Sequence, residues 1–148
     1  MRATSDDSER KREIDINILN MDLNTLEKAL QKSWSKETSY RPNEWSDVNP
    51  SFGQCAITAL IVNDYFGGDI VWSEALLPSG QKISHFFNMI NGQEVDLTRS
   101  QFPDGTIIPK GIEVKKDFAS TRDYLMSYKE KNSRYDALRE KVRNFLDY

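Results

Sequence analysis

The chain is poor in the residues that most metal and redox chemistry draws on. It holds one cysteine, Cys55, and one histidine, His85. One cysteine excludes an intramolecular disulfide. One cysteine and one histidine are too few soft ligands for a zinc site, so no metal is expected. No phosphate-cradling glycine loop is present, because Gly67-Gly68 follows a predicted helix rather than opening one, and no cofactor is implied. Long apolar runs are also missing. The longest, residues 56–62, is interrupted by Thr58 and is too short to span a bilayer, so no membrane partner is expected. Lys and Arg do not cluster and the formal net charge is −3, which argues against a nucleic-acid face. The N-terminus is charged and has no apolar core of a signal peptide. With the lone cysteine, this leads us to expect a reducing, cytoplasmic setting.

What remains is a chain of 148 residues, long enough for one domain with a real core. Mean hydropathy is −0.66, as for a soluble domain with a solvated surface. Aromatics make up 11% of the residues, so the core is expected to use large rings. Residues 1–13 show no apolar periodicity and read as a disordered tail, leaving 14–148 as a single domain. No repeat or linker divides it.

Hydrophobic spacing predicts the elements. Leu23, Leu26, Leu30 and Trp34 recur at helical spacing over residues 19–34, with Asp22 or Asn24 as the cap. Residues 35–52 form a long polar connection, stiffened by Pro42 and Pro50 and punctuated by Tyr40, Trp45 and Phe52. Residues 54–66 are apolar on more than one side, as in a buried helix, and Gly67-Gly68 ends them. Strands are expected at 69–77, 82–90 and 94–98, with Asn91-Gly92 as a hairpin turn. A short edge strand is expected at 112–114 and a short helix, capped by Ser120 or Thr121, through about residue 128. Ser133 with Asp136 resembles a capping box that opens a last helix. Its buried stripe would be Tyr135, Leu138, Val142, Phe145 and Leu146, and the basic residues between them a solvated face. The order gives an α+β domain.

Cys55 sits just after a turn and just before the buried helix. A helix N-terminus carries unsatisfied N–H groups and a partial positive charge, and both favour thiolate. His85 follows on the second strand and Asp96 on the third. With Asn91-Gly92 at the turn, Phe87 pairs near Asp96, which puts His85 and Asp96 on one face as diagonal neighbours. A bulge would break this. Such a set can supply a nucleophile, a base and an orienter. Each also has a plainer reading: Cys55 as a small buried hydrophobe and His85 as a hydrogen-bonded core residue. An oxyanion would need donors. The Cys55 backbone N–H is one; Gln54, Asn49 and Trp45 are side-chain alternatives. Arg99 and Gln101 could contact substrate or brace their loop.

The strings NPSFGQCAITALIVNDYFGGDI and SHFFNMINGQEVDLTRSQF resemble the YunG-like family of small bacterial proteins, over residues 45–102. That resemblance implies kinship, not an activity. The order of a helix-start cysteine, a strand histidine and a next-strand acid also resembles the papain-like superfamily, including transglutaminase-like and NlpC/P60-like enzymes. It implies a papain-like core: a cysteine-bearing helix packed on a small antiparallel sheet, with flanking helices. It assigns Cys55, His85 and Asp96 as nucleophile, base and orienter. The local motif around the papain-type cysteine and its upstream glutamine are absent. The expectation is a cysteine hydrolase or acyltransferase acting on an amide or thioester in a peptide or small molecule. The alternative is an inert binding module that keeps the fold.

Overall fold

The computed structural model describes residues 22–146, so the expected tail at 1–13 lies outside the described residues. Helix α1 is Leu23–Ser33; the Asp22 carboxylate accepts from the Thr25 N–H at 2.7 Å and closes its first turn. The expected start at residue 19 also falls outside the described part. Leu26 and Leu30 are fully buried, and Trp34 donates its indole N–H to Thr58 Oγ1 at 3.0 Å.

The connection that follows is less structureless than its polarity suggests. It contains two short 3-10 turns, Lys36–Thr38 and Pro42–Glu44. It is also tied down along its length: Ser39 Oγ donates to Phe52 O at 2.9 Å, and Tyr40 N–H to Gly53 O at 2.8 Å.

Helix α2, Cys55–Phe66, is the centre of the core. Its seven residues from Ala56 to Val62 are all buried, as a helix covered on several sides requires. Gly67 stops it.

Three antiparallel strands follow in the order β1 (Asp69–Leu76), β2 (Lys82–Ile90), β3 (Gln93–Val95). Asn91 (φ 51°) and Gly92 (φ 79°) make the β2–β3 turn, both in the left-handed region that a tight hairpin needs. The register places Ile90 opposite Gln93 and Asn88 opposite Val95, as the turn dictates. Pairing stops there. The third strand is shorter than expected, and Asp96 to Thr98 leave the ladder.

The sheet is covered on both faces. Ile70, Phe86 and Ile90 pack against the helical core, and the Asn88 amide donates to Ala59 O of α2 at 3.0 Å. The other face carries Val71, Ser73, Ala75, His85 and Phe87, all buried. The segment after β3 lies over it. Phe102 packs edge-on to the His85 ring, and Gly111 lies so close that a Cβ there would come within 2.8 Å of Phe87 Cζ. The expected edge strand at 112–114 is only a bridge, Trp72 with Ile112; a second bridge joins Leu76 to Ile107.

Helix α3, Thr121–Met126, is capped by Ser120, whose Oγ accepts from Asp123 N–H at 3.0 Å. Helix α4 is Lys129–Leu146 and corrects two expectations. Ser133 and Asp136 lie inside it rather than at its start, because a first turn already forms at Lys129, with Asn132 Nδ2 bonded to Met126 O at 2.8 Å. Its stripe is Tyr135, Leu138 and Val142, while Phe145 is exposed. Arg134, just before that stripe, is buried. The result is an α+β domain: four α-helices and a three-stranded antiparallel sheet among the described residues.

Candidate active site

Cys55 is the first residue of α2, and the turn before it is held from three directions. Tyr40 N–H and the Arg134 guanidinium both donate to Gly53 O, at 2.8 and 3.5 Å. Gly53 N–H reaches Gln101 Oε1 at 3.4 Å. Ser51 Oγ bonds Ser100 Oγ at 3.1 Å, and Asn49 Nδ2 donates to Gln101 O at 3.1 Å. Gly53 has φ 75°, and a Cβ there would meet the Ser39 hydroxyl and come within 2.9 Å of Tyr40 N. No other residue fits this turn without strain. No side chain caps α2, so its first-turn N–H groups stay uncommitted to a cap.

His85 is wholly buried on β2. Phe87 stacks on its ring with centroids 5.4 Å apart, and Phe102 meets it edge-on at 4.9 Å. These rings leave the imidazole little freedom to rotate. Nε2 lies 2.7 Å from Asp96 Oδ2. The other carboxylate oxygen accepts from Thr98 N–H at 3.3 Å and lies 3.5 Å from Thr98 Oγ1, which turns the chain out of the strand. A carboxylate on Nε2 favours the tautomer with its proton there and leaves Nδ1 able to accept one. Nδ1 is buried and has no fully formed hydrogen bond within the protein. The Cys55 thiol is the other ionisable group that acts on the ring.

The electrostatics follow from this. Burial pushes the Cys55 thiol up, but the nearby His85 imidazole and its charge, with the Phe86 backbone N–H, together bring it below the ordinary thiol value. For His85, burial pulls the imidazole down. The hydrogen bond to Asp96 and the nearby Cys55 thiol, with their charges, outweigh this and raise it to about 9. Both shifts favour thiolate beside imidazolium, the charge state in which a cysteine is most nucleophilic at neutral pH.

The side-chain donors considered for an oxyanion are each engaged elsewhere. Gln54 is buried and its Nε2 donates to Ser35 O at 3.0 Å; Trp45 Nε1 donates to Pro50 O at 2.9 Å; the Asn49 amide is held by Gln101. That leaves the uncapped backbone of α2 facing this end of the helix. Gln101 also donates to Thr98 O at 3.1 Å and so braces the loop, whereas the Arg99 residue is exposed and its guanidinium makes no hydrogen bond or ion pair among the described residues. Sequence reasoning placed Phe87 on the face of His85 but missed Phe102 and Thr98 as groups that fix His85 and Asp96. The Asp-x-Thr spacing was a readable turn signal. Nothing local marked Phe102 as a partner of His85.

These features define a small α+β domain in which a buried His–Asp pair meets the start of a cysteine-bearing helix. The chain belongs to the YunG family: the family model described as YunG protein matches residues 22–147. Over 73 residues it is 40% identical to Uncharacterized protein YunG of Bacillus subtilis (strain 168), a stretch covering 49% of this chain and 56% of that relative. The match thus spans just over half the length of that relative. No solved structure matches the chain significantly. No helix among the described residues is long and apolar enough to cross a membrane.

Proposed function

We propose that the protein is a cysteine hydrolase or acyltransferase of papain-like arrangement, acting on an amide or thioester carbonyl. The observation that carries the reading is the His85 ring, bonded to Asp96 through Nε2 and acted on by Cys55 with Nδ1 otherwise unpartnered. The Cys55 thiolate attacks the carbonyl carbon and a C–S bond forms. The oxygen takes up the negative charge and is stabilised by backbone N–H groups at the start of α2. His85 protonates the departing amine or thiol as the carbon–heteroatom bond breaks, leaving an acyl-cysteine. Water or another acceptor then attacks that carbonyl, with His85 taking its proton, and the thiolate is released. Asp96 stays ionised and keeps the imidazole oriented.

The competing reading is an inert binding module. The complete burial of His85 and the engaged amides of Gln54 and Asn49 favour it. Alkylation of Cys55 by iodoacetamide as a function of pH separates the two. The expected result is a thiol that reacts well below the free-thiol value of about 8.5. In His85→Ala, burial is opposed only by the Phe86 backbone N–H, and the rate at pH 7 should fall at least about tenfold. A thiol that reacts only when the protein unfolds would overturn the hydrolase reading.

A further inference from the structure

A cleft of about 350 Å³ opens beside this centre, lined by Arg99, Ser100, Phe102, Asp104, Thr106 and Ile108 among others. Cys55, His85 and Asp96 do not line it, but two of its lining residues touch their surroundings. Phe102 packs edge-on to the His85 ring, and Ser100 bonds Ser51 in the turn that leads into Cys55. The cleft also presents a cation that the protein does not use. Arg99 is exposed and its guanidinium makes no hydrogen bond or ion pair among the described residues, while Ser100 and Thr106 share the lining. The other arginines that face structure in this fold are committed: Arg122 to Asp64, Asn63 and Leu60 O, and Arg134 to Glu130 and Thr38 O. A planar guanidinium with free donors in a concave, polar lining matches a carboxylate in shape and charge.

We propose that this cleft binds the substrate of the Cys55 centre and that the substrate carries a carboxylate, which Arg99 holds. The inference rests on the hydrolase reading above and adds the substrate class. Asp104 shares the lining and has no ion pair, so its charge opposes the carboxylate and tempers the affinity.

Two alkylating probes test it: N-iodoacetyl-glycine and N-iodoacetyl-glycinamide. They differ only in a terminal carboxylate against a carboxamide. In both, the Cys55 thiolate forms an S–C bond as the C–I bond breaks and iodide leaves. The wild-type protein should react about three- to tenfold faster with the carboxylate probe at low salt. Arg99→Ala should bring the ratio to one or below, Arg99→Lys should keep part of it, and Asp104→Asn should raise it. The exposed Arg99 side chain makes no hydrogen bond or ion pair among the described residues, and its backbone bond to Phe102 N–H survives the substitution, so the variant should fold. A ratio unchanged in Arg99→Ala overturns the proposal while leaving the reactive thiol standing. If instead the carboxamide probe reacts equally with wild type and His85→Ala, the hydrolase reading itself fails, whatever the ratio at Arg99.

Discussion

Arg134 offers the sharpest test of how the fold holds the turn before Cys55. It is 7% exposed, although it sits on the C-terminal helix among solvated cations. Its guanidinium donates to Thr38 O at 3.1 Å and to Gly53 O at 3.5 Å, and it pairs with both oxygens of Glu130. These bonds are not worth the same. The Glu130 side chain is 59% exposed and returns to water when its partner is removed, so that pair contributes under about 1 kcal/mol. Gly53 O keeps the Tyr40 N–H. Thr38 is fully buried, and its carbonyl has Arg134 as its donor in the protein interior. An orphaned buried acceptor costs about 1–3 kcal/mol. Arg134→Met, which keeps most of the stem, should therefore cost about 2 kcal/mol, and Glu130→Ala under about 1 kcal/mol. Urea titration reads both, as a shift in midpoint at constant slope. If Glu130→Ala cost as much as Arg134→Met, the ion pair and not the carbonyl clamp would be the stabilising contact, and the reasoning would be wrong.

Two further substitutions probe the site directly. Asp96→Asn keeps an oxygen for Nε2 but weakens the charge-assisted hydrogen bond and removes the charge, which with Cys55 raise His85 to about 9. In wild type, raising the pH through about 9 removes the imidazolium proton, which adds a second inflection to the alkylation profile and ends any acyl transfer that needs a protonated leaving group. In Asp96→Asn that inflection should move to lower pH; an unmoved inflection would show that Asp96 does not tune the ring. Gly53→Ala puts a Cβ against Ser39 and Tyr40 at φ 75°, so it should lower stability by about 2 kcal/mol or more and disturb Cys55 reactivity. Thermal unfolding with parallel alkylation checks this, and a variant as stable as wild type would mean that the turn relaxes freely.

The parts of the fold that depend on short-range pattern were legible in the sequence. Strand β2 runs from Lys82 to Ile90 as its alternation and the following Asn91-Gly92 demand, and the hairpin register follows from the turn. Helix α2 was legible because a run of buried aliphatics ends at glycine. What was not legible depends on contacts far apart in the chain. Ser133 and Asp136 have the spacing of a cap, but Asn132 and Met126 begin the helix a turn earlier. Arg134 cannot be told from its neighbouring cations until the carbonyls of Thr38 and Gly53, more than 80 positions away in sequence, are brought to it. The same holds at the site. Spacing put His85 and Asp96 on one side of the hairpin, but only folding brings Phe102 against the ring and commits Gln54 to Ser35.

The distribution of unsatisfied polar atoms bears on whether His85 is structural. A histidine kept for packing has both nitrogens bonded or is replaced by an apolar residue at little cost, because burying a charged pair is seldom the best way to fill a sheet face. The neighbours of His85 on that face, Val71, Ala75 and Phe87, show that the site accepts apolar side chains. Yet among the described residues four buried side-chain polar atoms lack a hydrogen-bond partner, and three of them lie here: His85 Nδ1, Oγ of Ser73 directly across the ladder, and Gln54 Oε1 beside Cys55. An ordinary core would scatter such penalties or remove them. Two of the three, His85 Nδ1 and Ser73 Oγ, face each other across the β1–β2 ladder, which is the pattern expected where a sheet face serves more than packing. In the mechanism proposed above, Nδ1 accepts and returns a proton, and such a role requires that atom to be left without a permanent partner.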